Sequence, residues 1–259
     1  MTPHIIVSKI DPDKNIDLVA RWISPSFNKV NKTLPFAEST YALFPDLRGK
    51  IGADMSAAQI RRIAALSVKR KLKENKGLIE EKIDFLQAYF HSINDGLLTA
   101  LADVHETKWP ADCTRINCYV GYIPRCPRDV VAKQFWVSCS MKDETIIKAS
   151  VHEMGHFVFY EKWKEIYGPV LPKDLGRPSP RWYLEEMAVD PLLNDCAIQQ
   201  IVPMEQRAYP QFYSEAINGT PIMDYIKSFY ANRKSMEDFI ANAFRFVEEN
   251  IAEITAKCG

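Results

Sequence analysis

Positions 152 to 156 read His152-Glu153-Met154-Gly155-His156. On an α-helix, residues four apart differ by about 40° in direction and rise about 6 Å. Both imidazoles therefore leave one face, a turn apart, and can share a tetrahedral cation. Glu153 stands beside the first of them and can reach a water on that cation without taking a coordination position. Zinc lowers the pKa of such a water towards about 7, and a neighbouring carboxylate takes the proton as the oxygen attacks a carbonyl. Two of the five histidines in the chain are committed to this pattern. Ile146, Ile147, Val151, Phe157, Val158 and Phe159 make the stretch apolar enough to be buried. The competing reading is two helix histidines satisfied by ordinary hydrogen bonds, with Glu153 in solvent.

A catalytic zinc usually takes three protein ligands and a water. No histidine follows His156, so a carboxylate must supply the third. The run Trp182-Tyr183-Leu184-Glu185-Glu186-Met187-Ala188-Val189-Asp190 offers two neighbours on a predicted helix. Adjacent helical positions diverge by about 100°, so only one can face the ion. Here the sequence resembles the gluzincin branch of the zincin metallopeptidases, in which a glutamate on a later helix completes the HExxH site. In thermolysin-like members an aspartate four residues further on orients the first histidine. Glu186 with Asp190 matches that spacing, and Asp190 would then hold the His152 Nδ1 proton. Trp182-x-x-Glu185-x-Met187-Ala188 also resembles the WxxExxA run of aminopeptidase-like gluzincins, which selects Glu185 instead. Without a metal, both glutamates read as a solvated acidic first turn favoured by the helix dipole.

A more distant similarity, to anthrax-lethal-factor-like zincins, covers Tyr230 to Phe239 and continues through Phe244. It implies Glu237 as the ligand and Tyr230 as a stabiliser of the oxyanion. Asn242 or Ala241 stands where that family carries a second glutamate. The alternative is a capping box, Ser235 to Asp238, opening the last helix.

These resemblances imply an α+β, helix-rich zincin-like domain with a small, mostly antiparallel sheet. They imply a Zn2+ cofactor held by His152, His156 and Glu186, Glu153 as general base, and a peptide or protein substrate. Zincins also carry an edge strand along the substrate cleft, which would place Phe135, Trp136 and Val137 beside it. A structural strand accounts for those three residues equally well.

The elements needed to hold these residues are legible in the pattern of the chain. Asp143 to Tyr167 reads as the motif helix, and a second begins near Arg181, with Pro191 expected to end or kink it. Ile116 to Ile123 and Lys133 to Ser138 are aromatic and β-branched runs, expected as antiparallel strands. Ser56 caps a predicted helix to Glu74, and Leu78 to His105 reads as another after Gly77. The basic run Lys69 to Lys73 falls at a helix end, where cations are favoured. Residues 1 to 54, rich in turn formers, read as short elements and loops, with one strand near Ile5 to Val7. The division expected is an unassigned part over 1–110 and a zincin-like part over 111–259, or one continuous domain.

The 259 residues carry 33 Lys+Arg and 33 Asp+Glu, for a formal net charge of zero. That balance argues against a nucleic-acid partner. No apolar run approaches the roughly 18 residues of a membrane helix, and the N-terminus has no secretory pattern. Six cysteines without a CxxC pair read as reduced thiols in a cytoplasmic protein. There is no Walker A, GxGxxG or GxSxG run. The expected function is a cytoplasmic zinc metallopeptidase of unspecified oligomeric state. The alternatives are a zincin-fold protein that binds without catalysis, and a hydrolase of non-peptide amides.

Overall fold

The computed structural model describes residues 2–30 and 35–258. Contacts divide the chain into two compact units. One holds the N-terminal residues up to His4 with Ile93–Thr114 and everything from Val151 onward, and the other holds Ile5–Ser92 with Arg115–Ser150. Each unit thus draws chain from both sides of residue 110. The fold is α+β and rich in helix, and no helix among the described residues is long and apolar enough to cross a membrane.

The chain opens with β1 (His4–Lys9), α1 (Pro12–Ile23), α2 (Pro25–Val30) and α3 (Phe36–Leu43). The short elements expected over 1–54 therefore include β1 and three helices. Asp11-Pro12-Asp13 is a helix start rather than a turn: the Asp11 carboxylate accepts the Asp13 and Lys14 N–H groups, and Pro12 fills the first helical position. A proline there loses no hydrogen bond, because that N–H has no partner within the helix. Next come α4 (Ala57–Glu74) and α5 (Lys76–Val104). Ser56 and Gln59 form the capping box that opens α4. The helix break falls at Asn75, so Gly77 lies inside α5 rather than between helices. Arg70 and Lys71, in the basic run, pair with Asp46 and Glu74.

Then follow β2 (Arg115–Gly121), β3 (Arg128–Asp129) and β4 (Gln134–Ser138). The sheet order is β1-β2-β4-β3, and β2 pairs with β4 in parallel, Asn117 opposite Gln134 through Gly121 opposite Ser138. This corrects the antiparallel expectation. The segment between the two strands passes beyond β4, forms β3 there, and returns into the middle of the sheet. Only the β3–β4 pair of this sheet's later strands is antiparallel. The dozen residues of that segment suffice for a parallel crossover. Phe135 and Val137 are fully buried, and Trp136 packs with Ile10, Leu18, Trp22 and Ile123. These residues serve the core.

Two polar side chains finish this sheet. The Gln87 amide accepts the Val7 N–H at 2.8 Å and donates to the Ile5 carbonyl at 3.3 Å, so it occupies backbone groups of β1 that would otherwise be open to pairing. Asn15 likewise brackets Tyr122, donating to its carbonyl and accepting its N–H. A Cβ on Gly121 would lie 2.7 Å from Asn15 Oδ1, so only glycine admits this approach.

The other unit contains most of α6 (Asp143–Tyr167), then α7 (Pro180–Leu193), α8 (Cys196–Gln199) and α9 (Pro210–Ser214). A two-stranded hairpin, β5 (Ala216–Ile217) with β6 (Thr220–Pro221), leads to α10 (Ile222–Ala231), α11 (Met236–Glu249) and α12 (Ile251–Cys258). α7 is the axis of this unit, with twelve of its fourteen residues buried. Phe159 and Trp163 of α6 and Phe212 of α9 contribute to the core around it. So do Ile222, Met223 and Ile226 of α10, and Met236, Phe239, Ile240 and Ala243 of α11. The α11 residues recur at helical spacing, the stripe of an amphipathic helix. Pro191 lies within α7, which runs two residues further before Asn194 ends it.

His105, just after α5, is 1% exposed, and its Nδ1 lies 2.7 Å from the Leu101 carbonyl. A carbonyl only accepts, so Nδ1 carries the proton. Burial pushes the pKa of this imidazole from 6.5 down to about 4. The unfolded chain therefore binds the proton first. Its contribution to stability is complete above about pH 6.5 and is lost as the pH falls towards 4, amounting to about 3 kcal/mol. Urea unfolding of wild type and His105→Gln should show a deficit at pH 7 that shrinks at pH 4.5. A deficit that does not vary with pH would contradict this account.

Candidate metal centre

α6 presents His152, Glu153 and His156, and α7 presents Arg181, Glu185, Glu186 and Asp190. Glycine at position 155 permits the two helices to approach, because a Cβ there would lie 3.0 Å from Leu193 Cδ2. At that separation the short glutamate side chains of α7 reach the imidazoles of α6.

Glu186 Oε2 lies 3.7 Å from His152 Nε2 and 3.8 Å from His156 Nε2. One potential donor atom from each of the three residues lies within 4.8 Å of the others. The rings stand 4.7 Å apart at 75°. These separations are too long for hydrogen bonds. For comparison, tetrahedral zinc with bonds of 2.0–2.1 Å places its donors roughly 3.4 Å apart. Imidazole nitrogens and a carboxylate oxygen are the donors that suit zinc. The three residues fit such an ion after small side-chain movements.

The other imidazole nitrogen supports this orientation. His156 Nδ1 lies 3.1 Å from Glu185 Oε1, and Glu185 Oε2 accepts from Arg181 Nη1 at 2.8 Å. Each nitrogen of the His156 ring thus faces a carboxylate, Glu185 at Nδ1 and Glu186 at Nε2. The His156 and Glu186 side chains are almost wholly buried, whereas 22% of the His152 side chain is exposed, giving the cluster one side open to solvent. Glu153 is also buried, at 5%.

Several expectations for individual residues change. Glu185 and Glu186 are not a solvated first turn: α7 begins at Pro180, its first turn has no acidic residue, and both glutamates are 2% exposed. The choice between them resolves into two different nitrogens of His156, Glu186 at Nε2 and Glu185 at Nδ1. Asp190 does not orient His152. Its carboxylate accepts from Asn194 Nδ2 at 3.2 Å, from the Tyr213 hydroxyl, and pairs with Lys227 at 3.0 Å. Those partners lie further along the chain than pattern spacing could show.

No hydrogen bond or ring contact joins Tyr230 to the cluster. Its hydroxyl donates to Asp195 Oδ2 at 3.3 Å, Arg233 lies over its ring, and Phe239 packs edge-on. Burial pushes the Tyr230 pKa up to about 12. Glu237 is exposed at the start of α11, outside the cluster. Ser235 Oγ accepts the Asp238 N–H, as the capping alternative expects, while Asp238 accepts the Lys234 N–H. Sequence reasoning missed Arg181, although its spacing from Glu185, four residues on a helix, is a recognisable ion-pair signal.

No protein-family model matches the chain, and no curated protein or solved structure matches it significantly. The site's chemistry therefore rests on its own geometry.

Because the hydrogen bonds and ion pair of Asp190 go to Asn194, Tyr213 and Lys227 rather than to the three clustered residues, Asp190→Asn should leave zinc affinity within about threefold of wild type. It should lower the melting temperature, since Lys227 and Tyr213 lose a charged acceptor. Chelator competition and thermal denaturation measure the two effects separately.

Proposed function

We propose that this protein is a zinc-dependent hydrolase of the gluzincin type that cleaves peptide bonds. His152, His156 and Glu186 would hold the ion, and Glu153 would act as general base. The observation that carries the reading is the convergence of two imidazole Nε2 atoms on one glutamate oxygen, at 3.7 and 3.8 Å. Glu153, next to His152 in sequence and buried, adds a carboxylate for which a purely structural ion site has no use.

Bound zinc would supply a Lewis acid that polarises the scissile carbonyl and makes water acidic near neutral pH. The remaining work falls to the chain. The His152 side approaches solvent and admits the substrate, while buried His156 and Glu186 hold their donor atoms in place. The Glu153 carboxylate takes one proton from the attacking water. It then returns that proton to the amide nitrogen as the C–N bond breaks, giving a carboxylic acid and an amine, and the acid's proton passes to the amine so that a carboxylate and an ammonium leave. Hydrolysis of a non-peptide amide would use the same residues in the same order.

The test has two parts. Plasma mass spectrometry on protein prepared without chelator or histidine tag should find close to one zinc per chain in wild type and none in His156→Ala or Glu186→Ala. Glu153→Gln should keep the metal, yet cut turnover of a mixed peptide library by about 10²–10⁴. A Glu153→Gln protein with zinc and undiminished activity would overturn the catalytic assignment. Wild-type protein with no zinc after reconstitution would overturn the metal.

A further inference from the structure

α7 carries a buried ion pair that none of the proposed chemistry uses. Arg181 and Glu185 are each 2% exposed, four residues apart, and joined at 2.8 Å through Arg181 Nη1 and Glu185 Oε2. Arg181 Nε and Nη2 make no hydrogen bond. The guanidinium lies instead 5.6 Å from the Tyr160 ring centre and 5.5 Å from that of Trp163. Burying a guanidinium on one strong hydrogen bond and two aromatic rings is costly, and an apolar pair of similar volume would stabilise the core at least as well. Such a pair is therefore better explained by what it holds than by stability.

It lies against His156. Glu185 Oε2 accepts from Arg181, and Oε1 lies 3.1 Å from His156 Nδ1, at ion-pair distance but without the alignment of a hydrogen bond. The far nitrogen of that ring faces Glu186 Oε2 at 3.8 Å. Arg181, Glu185, His156 and the ligand position thus form one linear series, with every member except the ion supplied by α6 and α7. Neutral imidazole has two tautomers, and only the one protonated at Nδ1 leaves Nε2 able to bind a cation. A carboxylate fixed beside Nδ1 selects that tautomer before any ion arrives. Arg181 restrains the carboxylate through its Nη1 hydrogen bond to Oε2.

We infer that Arg181 and Glu185 are positioning residues that set the tautomer of His156, and through it the metal affinity of the site. The inference rests on the proposed metal function and adds two residues to it. It assigns them to the second histidine of the motif, through a carboxylate adjacent in sequence to the third ligand.

The first experiment reads the tautomer directly, without metal. Long-range ¹H–¹⁵N spectra of the metal-free, histidine-labelled protein, with His156 assigned through His156→Gln, should show a neutral ring protonated at Nδ1. Glu185→Leu should convert it to a mixture or to the Nε2–H form, whereas Glu185→Gln, whose amide oxygen still accepts, should largely preserve it. The second experiment is zinc affinity by competition with a chromophoric chelator. Glu185→Leu should weaken binding about 10- to 100-fold. Arg181→Met should also weaken it, and Arg181→Met/Glu185→Leu should be no weaker than Glu185→Leu alone, because Arg181 acts through Glu185. Zinc binding by a wild type whose His156 carries the Nε2 proton would overturn this inference and leave the metal reading standing. Additive losses in the double variant would overturn the series of contacts. A wild type that binds no zinc would remove the metal reading, and the inference with it.

Discussion

One imidazole ring, buried between two helices, has both its nitrogens addressed by consecutive residues of the same helix. His156 on α6 meets Glu185 through Nδ1 and Glu186 towards Nε2. Adjacent helical side chains point about 100° apart, so this arrangement requires α7 to pass close beside α6 with the ring lodged between two of its directions. Glycine at position 155 leaves room for that approach, and Leu193 packs where a side chain would have stood. Much of the rest of the unit can be read as the means of holding α7 there.

That requirement accounts for the unusual character of α7. It is a helix buried on every side that nonetheless carries Arg181, Glu185, Glu186 and Asp190. Charged groups at such depth need partners. Arg181 and Glu185 pair with each other, and Asp190 is held by Tyr213 and Lys227. Glu186 faces two imidazoles. The apolar surfaces of α9, α10 and α11 close around the helix and exclude water, which strengthens each of these interactions and raises the cost of losing one partner. In the proposed metal site the same exclusion would keep the donor atoms of buried His156 and Glu186 in place, with His152 on the side that meets solvent.

The second unit follows different rules. Its parallel β2–β4 pair forms because the chain runs beyond β4 to make β3 and then returns. The antiparallel expectation failed for that reason: residue types in a strand report burial and branching, and say little about which neighbour the strand will find. The helices α1 and α2 were hidden for a related reason. Pro12 and Pro25 mark helix starts, yet in isolation Asp-Pro and Ser-Pro are equally the signs of a turn, and what decides between them is whether the following residues can bury an apolar face. Ile16, Val19 and Ile23 do so in α1.

The sequence alone determined the features that depend on local spacing. His152 and His156 share a helical face because the α-helix repeats every 3.6 residues, Ser56 opens α4 through a capping box, and the long helices follow from their apolar period. The candidate ligands were legible down to a pair of adjacent glutamates. Tertiary structure decided which of the two faces which nitrogen, because that depends on the rotation of α7 about its axis, and its packing against α9, α10 and α11 sets that rotation. It likewise turned Asp190 to Tyr213 and Lys227, paired Tyr230 with Asp195, and left Glu237 exposed. Contacts between residues far apart in the chain arise from how apolar surfaces fit together, and no local pattern records that fit.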